Sequence, residues 1–301
     1  MATYDVVLLT EDRYENPTET NPYIENVLLE DRLVQKALER QGLRCTRVSW
    51  SHPSFAWEEA RYALFRTTWD YFERFAEFSN WMEKTQSKLT FLNPATLIRW
   101  NQDKHYLQDL QTKGIHIPES YFIARGSQIT LKALHDQLGW EHTVLKPTVS
   151  GAARHTYQLQ LSDLDRHEAI FQELIAQEDM LLQVFQQQVV SKGEVSLMVF
   201  GGTFSHAILK KAKAGDFRVQ DDFGGTVHEY QASPEEIRFA EMAVLACPSL
   251  PLYARVDVIW DNEDRLAVSE LEMIEPELWF RNHPPAADQL ARVILQEINR
   301  K

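Results

Sequence analysis

The chain opens on an unbroken apolar run, Tyr4-Asp5-Val6-Val7-Leu8-Leu9-Thr10, whose β-branched and aliphatic residues suit a strand buried on both faces of a parallel sheet. The polar stretch Glu11 to Asn21 follows as a loop at that strand's C-terminal end, where open α/β sheets collect ligands. From Ile24 to Gln41, apolar residues recur at helical spacings (Val27, Leu28, Leu33, Val34, Ala37, Leu38), and Gly42 stands as a C-cap. Leu43 to Trp50 and Tyr62 to Thr67 read as two more strands, with Tyr71 to Gln86 as an aromatic-rich amphipathic helix packed over them. The first hundred residues therefore predict a small β-α-β lobe.

Asn93-Pro94 breaks this pattern, and helical spacing resumes from Ile98 to Lys113 until Gly114 and Pro118 end it. Tyr121-Phe122-Ile123 and Thr143-Val144-Leu145-Lys146 read as strands flanking a helix from Thr130 to Leu138, and Ser162-Asp163 offers a cap for a helix reaching Gln177. Later apolar runs, Leu181 to Phe185, Val195 to Phe200, Thr203 to Leu209, Leu252 to Trp260 and Arg265 to Leu271, alternate with turn residues and predict an antiparallel sheet. Helices from Pro234 to Ala246 and from Pro285 to Asn299 would cover it. The predicted fold class is α/β, built from α+β lobes, with the first lobe at 1–97.

Composition narrows the function classes. A net charge of -13 repels a phosphate backbone, and no Lys/Arg stripe gathers anywhere, so a nucleic-acid partner is disfavoured. Cys45 and Cys247 lie far apart without metal-ligand spacing and read as buried thiols. No apolar run approaches the roughly 18 residues of a membrane span, and the N-terminus lacks a signal-peptide pattern, which makes the cytoplasm the default location and excludes a membrane partner.

The chemistry concentrates in Arg255-Val256-Asp257 and Glu270-Leu271-Glu272, on two runs joined by a turn taken as two residues near Asn262. Residues two apart share a strand face, so Asp257, Glu270 and Glu272 would meet at one cavity. Three buried carboxylates raise one another's pKa and need a cation; their hard oxygens select magnesium. The same pattern also describes two half-exposed strands with solvated acidic faces, and these residues alone do not choose.

Arg-Val-Asp, then Glu-x-Glu ahead of Pro276, resembles the metal-binding end of the ATP-grasp superfamily, although Glu272 stands where that family commonly has Asn. Trp100-Asn101-Gln102-Asp103-Lys104 resembles the helix bringing its first phosphate-contacting lysine. Val144-Leu145-Lys146-Pro147 resembles the strand of the second, followed by the small-residue loop Ser150-Gly151-Ala152. Leu181-Leu182-Gln183-Val184-Phe185 is similar to the adenine-receiving linker, Glu194 to the ribose-binding acid, and His206 to Lys211 with Gly215 to Gly225 to the strand and mobile loop over the triphosphate. The matches run in family order across residues 98–282, with the more specific likeness to glutathione synthetases, the RimK-like group, D-alanine:D-alanine ligases and the cyclo-ligase that closes the cycloserine ring.

The resemblance implies an ATP-grasp fold behind an N-terminal pre-ATP-grasp lobe, with 98–182 and 183–301 as its small and large subdomains. It implies ATP as cosubstrate, contacted by Lys104, Lys146, Ser150, Gly151, Gln183, Val184, Phe185, Glu194 and Lys210. Asp257, Glu270 and Glu272 would hold Mg2+, two ions, with Mn2+ an acceptable substitute. Arg255, Arg218 and Lys210 would stabilise transferring charge while an acyl phosphate of a small amino-acid-like carboxylate is attacked by an amine. A homodimer is also implied. Substrate choice would fall to the first lobe, at Glu11, Asp12 and Arg13 and at Thr68, Trp69, Asp70 and Tyr71, where an acidic pair with aromatic walls suits an ammonium group. The rival readings are a small-molecule kinase on the same scaffold and a nucleotide-binding module without catalysis.

Overall fold

In the computed structural model, which describes residues 2–213, 215, 219 and 224–300, the chain folds around three sheets. The first is parallel: β1 (Tyr4–Thr10), β2 (Cys45–Ser49), β3 (Ala60–Thr67) and β4 (Thr90–Leu92), in the order β2-β1-β3-β4. A one-turn helix α1 (Asp12–Glu15) and the long α2 (Pro22–Arg40) cross from β1 to β2. Asn21 caps α2 by accepting from Ile24 N at 2.9 Å, and Pro22 fills the first turn, where a missing N–H is no loss. Val6 and Leu8 pack toward α2, whereas Val7 and Leu9 pack toward α3 (Phe75–Thr85) and a nest of rings from Trp50, Phe65, Phe78, Trp81 and Phe91. Burial on both faces explains why β1 reads as a continuous apolar run.

After α4 (Ala95–Asn101) and α5 (Tyr106–Thr112) comes an antiparallel sheet of β5 (Ser120–Ile123), β6 (His142–Pro147), β7 (Tyr157–Gln160) and β8 (Met180–Val184), ordered β5-β8-β6-β7. Its core is closed by α6 (Leu131–Leu138) and α7 (Leu164–Gln177), through Leu134 and Phe171 among others. A short α8 (Gln188–Lys192) leads to the third sheet, also antiparallel: β9 (Glu194–Phe200), β10 (Thr203–Lys211), β11 (Thr226–Tyr230), β12 (Tyr253–Trp260) and β13 (Leu266–Glu272), ordered β11-β10-β9-β12-β13. On one face lies α9 (Pro234–Leu245), started by a capping box between Ser233 and Glu236. The last helix, α10 (Pro285–Arg300), returns to wedge Leu290 and Ile294 between the third sheet and α2, each buried side chain contributing about 1.5–3 kcal/mol.

Several expectations change. The run Leu181 to Phe185 does not join the third sheet; β8 is the inner neighbour of β5 and β6. Met180, Leu181 and Leu182 are buried on both faces, so the run carries no alternation to reveal its partners. The helix expected from Ile98 to Lys113 is broken at residues 102–105, where Lys104 N turns to donate to Thr148 O at 2.9 Å. Helix α3 starts at Phe75 rather than Tyr71. Ser162 and Asp163 do not cap α7; the Asp163 carboxylate accepts from Gln160 N instead. The β12–β13 turn has five residues, 261–265, wound round the Asp261 carboxylate, which accepts from Glu263 N and Arg265 N at 2.9 Å each. Strands β4, β7 and β11 have no counterpart in the sequence reading.

His206, at the α10 face of β10, donates from Nε2 to Leu278 O at 2.9 Å, and burial holds its pKa down to about 4. Because the folded value lies below the unfolded value of about 6.5, its contribution to stability is complete above that pH and declines as pH falls toward 4. His206→Gln is expected to flatten the pH dependence of urea stability between pH 6.5 and 4, by up to about 1.4 kcal/mol per pH unit. An unchanged slope would show that another group governs this window.

Candidate active site

The site grows from the β12–β13 hairpin. Cross-strand pairing sets Arg255 opposite Glu272 and Asp257 opposite Glu270, and strand alternation turns all four to one face. A bulge follows: Val258 pairs with Val268, leaving Ser269 as the extra residue. Its hydroxyl sits 3.1 Å from Asp257 O and donates to Glu194 Oε2 at 2.8 Å. Carboxylate oxygens of Asp257, Glu270 and Glu272 lie within 4.8 Å of one another.

β13 is an edge strand, and its open side is occupied by side chains from the preceding helices. Asn101 donates to Leu271 O at 2.7 Å and accepts from Met273 N at 2.8 Å, while Tyr106 Oη accepts from Leu271 N at 2.9 Å. These bonds bracket Glu270 and Glu272 and fix where they point. Removing the amide leaves two buried backbone groups unsatisfied, so Asn101→Ala is expected to cost about 2–4 kcal/mol, read by urea titration. A loss under about 0.5 kcal/mol would mean the edge finds other partners.

Three cations thread the carboxylates. Arg255 reaches Asp257 from Nε at 3.0 Å and Nη2 at 2.8 Å, and Glu272 from Nη2 at 2.5 Å. Lys210 lies 2.6 Å from Glu194, its partner across β9–β10, and 3.3 Å from Asp257, and Lys104 lies 3.1 Å from Glu270. Burial would raise Asp257, but Arg255 and Lys210 hold it down to about 2. Glu270 is likewise raised by burial and, on balance, lowered by Lys104 and Lys146. At Glu272 burial prevails, with Glu270 and Asp257 adding to it against Arg255, and the carboxyl is pushed up to about 7. Burial lowers Lys146 to about 8, and although it acts the same way on Lys210, Asp257 and Glu194 raise that lysine. Three converging hard-oxygen donors, one of them pushed up mainly by burial, fit a divalent cation such as Mg2+.

The hairpin and β6 face each other across a cavity of about 270 Å3, lined by all three carboxylates and by Lys104, Lys146 and Lys210. Lys104 donates to Ser150 O at 2.9 Å, tying the helix break to the loop after β6. In that loop Gly151 is pressed so close to Phe72 that a β-carbon would lie 2.5 Å from its ring. Gln183, Val184, Phe185 and Glu194 line the cavity's other wall. Gln183 Nε2 is committed to Ser120 Oγ at 2.8 Å, and Phe185 stacks on His142 with centroids 4.0 Å apart.

The first-lobe candidates are not brought onto this cavity. Glu11 pairs with Arg13 at 2.6 Å; Asp12 accepts from Ser49 and Ser51; Asp70 accepts from Trp50 Nε1 at 2.7 Å and from Arg74 at 2.8 Å. Glu11, Asp12 and Asp70 are absent from the cavity lining, although Glu11 Oε2 is buried without a hydrogen-bond partner and burial raises that carboxyl above its usual value. Thr68 is wholly buried, and Trp69 Nε1 donates to Glu275 O at the site's margin at 2.9 Å. Tyr71 alone of this group lines the cavity. Arg218 lies outside the described residues. The sequence reading missed Asn101 and Tyr106 as strand anchors and Ser196, which donates to Asp257 at 2.5 Å; side chains that hold other groups leave no motif.

A parallel lobe followed by two antiparallel sheets closing on a cavity of lysines and acids is the architecture of the ATP-grasp fold, and the chain has that fold. Comparisons agree. Residues 6–93 match the family model of the N-terminal domain of D-cycloserine synthetase DcsG. The cycloserine biosynthesis protein DcsG of Streptomyces lavendulae is 29% identical over 285 residues, 87% of this chain and 92% of that protein. The crystal structure of D-cycloserine synthetase DcsG superimposes with a TM-score of 0.84 at 25% identity, over 97% of this chain and 99% of that one. D-alanine–D-alanine ligase from Bacillus anthracis shares the fold, with a TM-score of 0.66 at 13% identity over 97% and 96% of the two chains. No helix among the described residues is long and apolar enough to cross a membrane.

Proposed function

We propose that the chain is an ATP- and Mg2+-dependent ligase that joins a small amino-acid-like carboxylate to an amine through an acyl phosphate, releasing ADP and phosphate. The observation that carries this reading is the convergence of Asp257, Glu270 and Glu272 with Lys104, Lys146 and Lys210 on one cavity. Adenine would lie against Val184 and Phe185 near Gln183, with Glu194 toward the ribose. The phosphates would run along Lys104, Lys146 and the Ser150-Gly151 backbone, whose close approach to Phe72 leaves no room for a side chain. Bound Mg2+, one ion or two on Asp257, Glu270 and Glu272, would offset the charge of the transferring phosphoryl group.

Lys210 is gripped by Glu194 and Asp257, so it reaches a phosphate oxygen by exchanging one of those partners. Arg255, fixed by two carboxylates, presents its charge where the carbonyl oxygen turns negative during phosphoryl transfer and amine attack. Arg218, from the segment between Gly215 and Gly224, keeps the role the family resemblance implies. The whole-length likeness to DcsG supports a ring-closing version, in which one amino-acid-derived molecule supplies both acid and amine.

The test is ADP formation by the purified chain with ATP, Mg2+ and a panel of carboxylates, with and without amines. Turnover abolished by a chelator and accompanied by amide formation is expected. A phosphorylated acid as final product would recast the chain as a kinase, and binding of ATP without ADP formation would leave a nucleotide-binding module. Lys146→Met is expected to raise the KM for ATP at least about tenfold with the fold intact. An unaltered nucleotide affinity would remove Lys146 from the site.

A further inference from the structure

The tip of the β12–β13 hairpin is clasped to the stretch that follows β8. Asn262 Nδ2 donates to Phe185 O at 2.9 Å, and Asn262 Oδ1 accepts from Gln187 N at 2.9 Å. Gln186 answers from the other side: its Oε1 accepts from Asn262 N at 3.0 Å, and its Nε2 donates to Val184 O at 2.8 Å. Each side-chain amide gives an N–H to a backbone carbonyl and takes a backbone N–H on its oxygen, so neither can turn over without losing both bonds.

The turn that carries Asn262 is itself held. Asp261, which gathers Glu263 N and Arg265 N, has its Oδ2 2.8 Å from His116 Nε2. Val268 N donates to His116 O at 2.9 Å, tying β13 to the segment before β5. Lys192, at the end of α8, pairs with Asp264 and lies 5.2 Å from the centroid of the Trp260 ring. The residues between β8 and α8 are therefore fastened to the tip of the hairpin whose strands carry Asp257 and Glu270.

Val184, Phe185 and Gln186 line the cavity, and so does Ile259, which shares a strand face with Asp257. Asn262 stands at the surface and is not among the lining residues. One hairpin thus sets the spacing between the wall assigned above to adenine and the acids assigned to Mg2+, with roughly 13 Å of strand between Asp257 and the turn.

We propose that Asn262 is a positioning residue for the nucleotide: acting through Phe185 and Gln187, and braced by Gln186, it holds the base-side wall at the distance from Asp257 and Glu270 that one nucleotide must span. The inference rests on the ligase reading above. In Asn262→Ala the bonds to Phe185 O and Gln187 N are lost, while Lys104 keeps Ser150 O and Glu270, and Lys210 keeps Glu194 and Asp257. The loss therefore falls on binding of the base and leaves binding of the phosphates in place.

The experiment measures, by titration calorimetry with Mg2+, the affinities of ATP and of inorganic tripolyphosphate, which has the phosphates and no base. The wild type is expected to bind ATP at least about tenfold more tightly. Asn262→Ala is expected to shrink that ratio at least about fivefold through ATP alone, with the Kd for tripolyphosphate moving less than about twofold. If the alanine variant does not fold, Gln186→Ala decides by the same ratio: a reduction of at least about threefold is expected, and an undiminished ratio counts against the clasp. An unchanged ratio in Asn262→Ala, equal losses for both ligands as general loosening would produce, or a wild-type ratio near one overturns the proposal and leaves the ligase reading standing. No binding of ATP by the wild type overturns both.

Discussion

Glu270→Gln is expected to lower ADP formation at least about a thousandfold, some 4 kcal/mol of transition-state stabilisation, while leaving the fold unchanged. Glu270 stands opposite Asp257 and 3.1 Å from Lys104, and Lys104 and Lys146 lower its pKa in spite of burial. The amide has nearly the same shape, so the bonds from Asn101 and Tyr106 on either side should hold the strand as before. What disappears is one of three anionic oxygen donors and the charge facing Lys104. Far-UV circular dichroism and melting temperature should match the wild type, because Lys104 keeps its bond to Ser150 O and one of three mutually repelling acids has been neutralised. Undiminished turnover in a folded variant would remove Glu270 from the cation site.

How much of this was legible depends on whether an interaction leaves a local periodicity. The alternation of Arg255 with Asp257 and of Glu270 with Glu272 is a two-residue repeat, so one strand face per pair follows from the chain alone, and the two faces coincide. Register is not local: the five-residue turn around Asp261 and the bulge at Ser269 depend on hydrogen bonds that no spacing encodes. β8 was misassigned for the reason that β1 was easy, since uninterrupted burial announces a strand but is silent about its neighbours. The break at residues 102–105 was hidden because helical spacing persists through it; what ends α4 is the pull of Thr148 O and the site on Lys104. In the first lobe the acids do cluster at the strand ends, but local spacing does not say which side chains reach the cavity, and Glu11, Asp12 and Asp70 are not among those lining it.

The other large effect is expected at Arg255. Its guanidinium holds Asp257 at two nitrogens, meets Glu272 at 2.5 Å and reaches Glu277 O, and three acids crowd its pocket. Arg255→Met fills much of the same space and removes the charge, leaving Glu272 without its cation and Asp257 with Lys210 alone, a change that costs about 3–5 kcal/mol in comparable sites. For a chain of this length that corresponds to a melting temperature lower by roughly 5–10 °C. Because Mg2+ would bind the same acids, the loss should shrink as Mg2+ is added, by RT ln(1 + [Mg2+]/Kd), whereas the wild type should respond less. Turnover should not recover in parallel, since the lost charge also faces the developing oxyanion. A melting point insensitive to Mg2+ in the variant would separate Arg255 from the cation site. Full activity at high Mg2+ would show that its role is to hold the acids in place and nothing more.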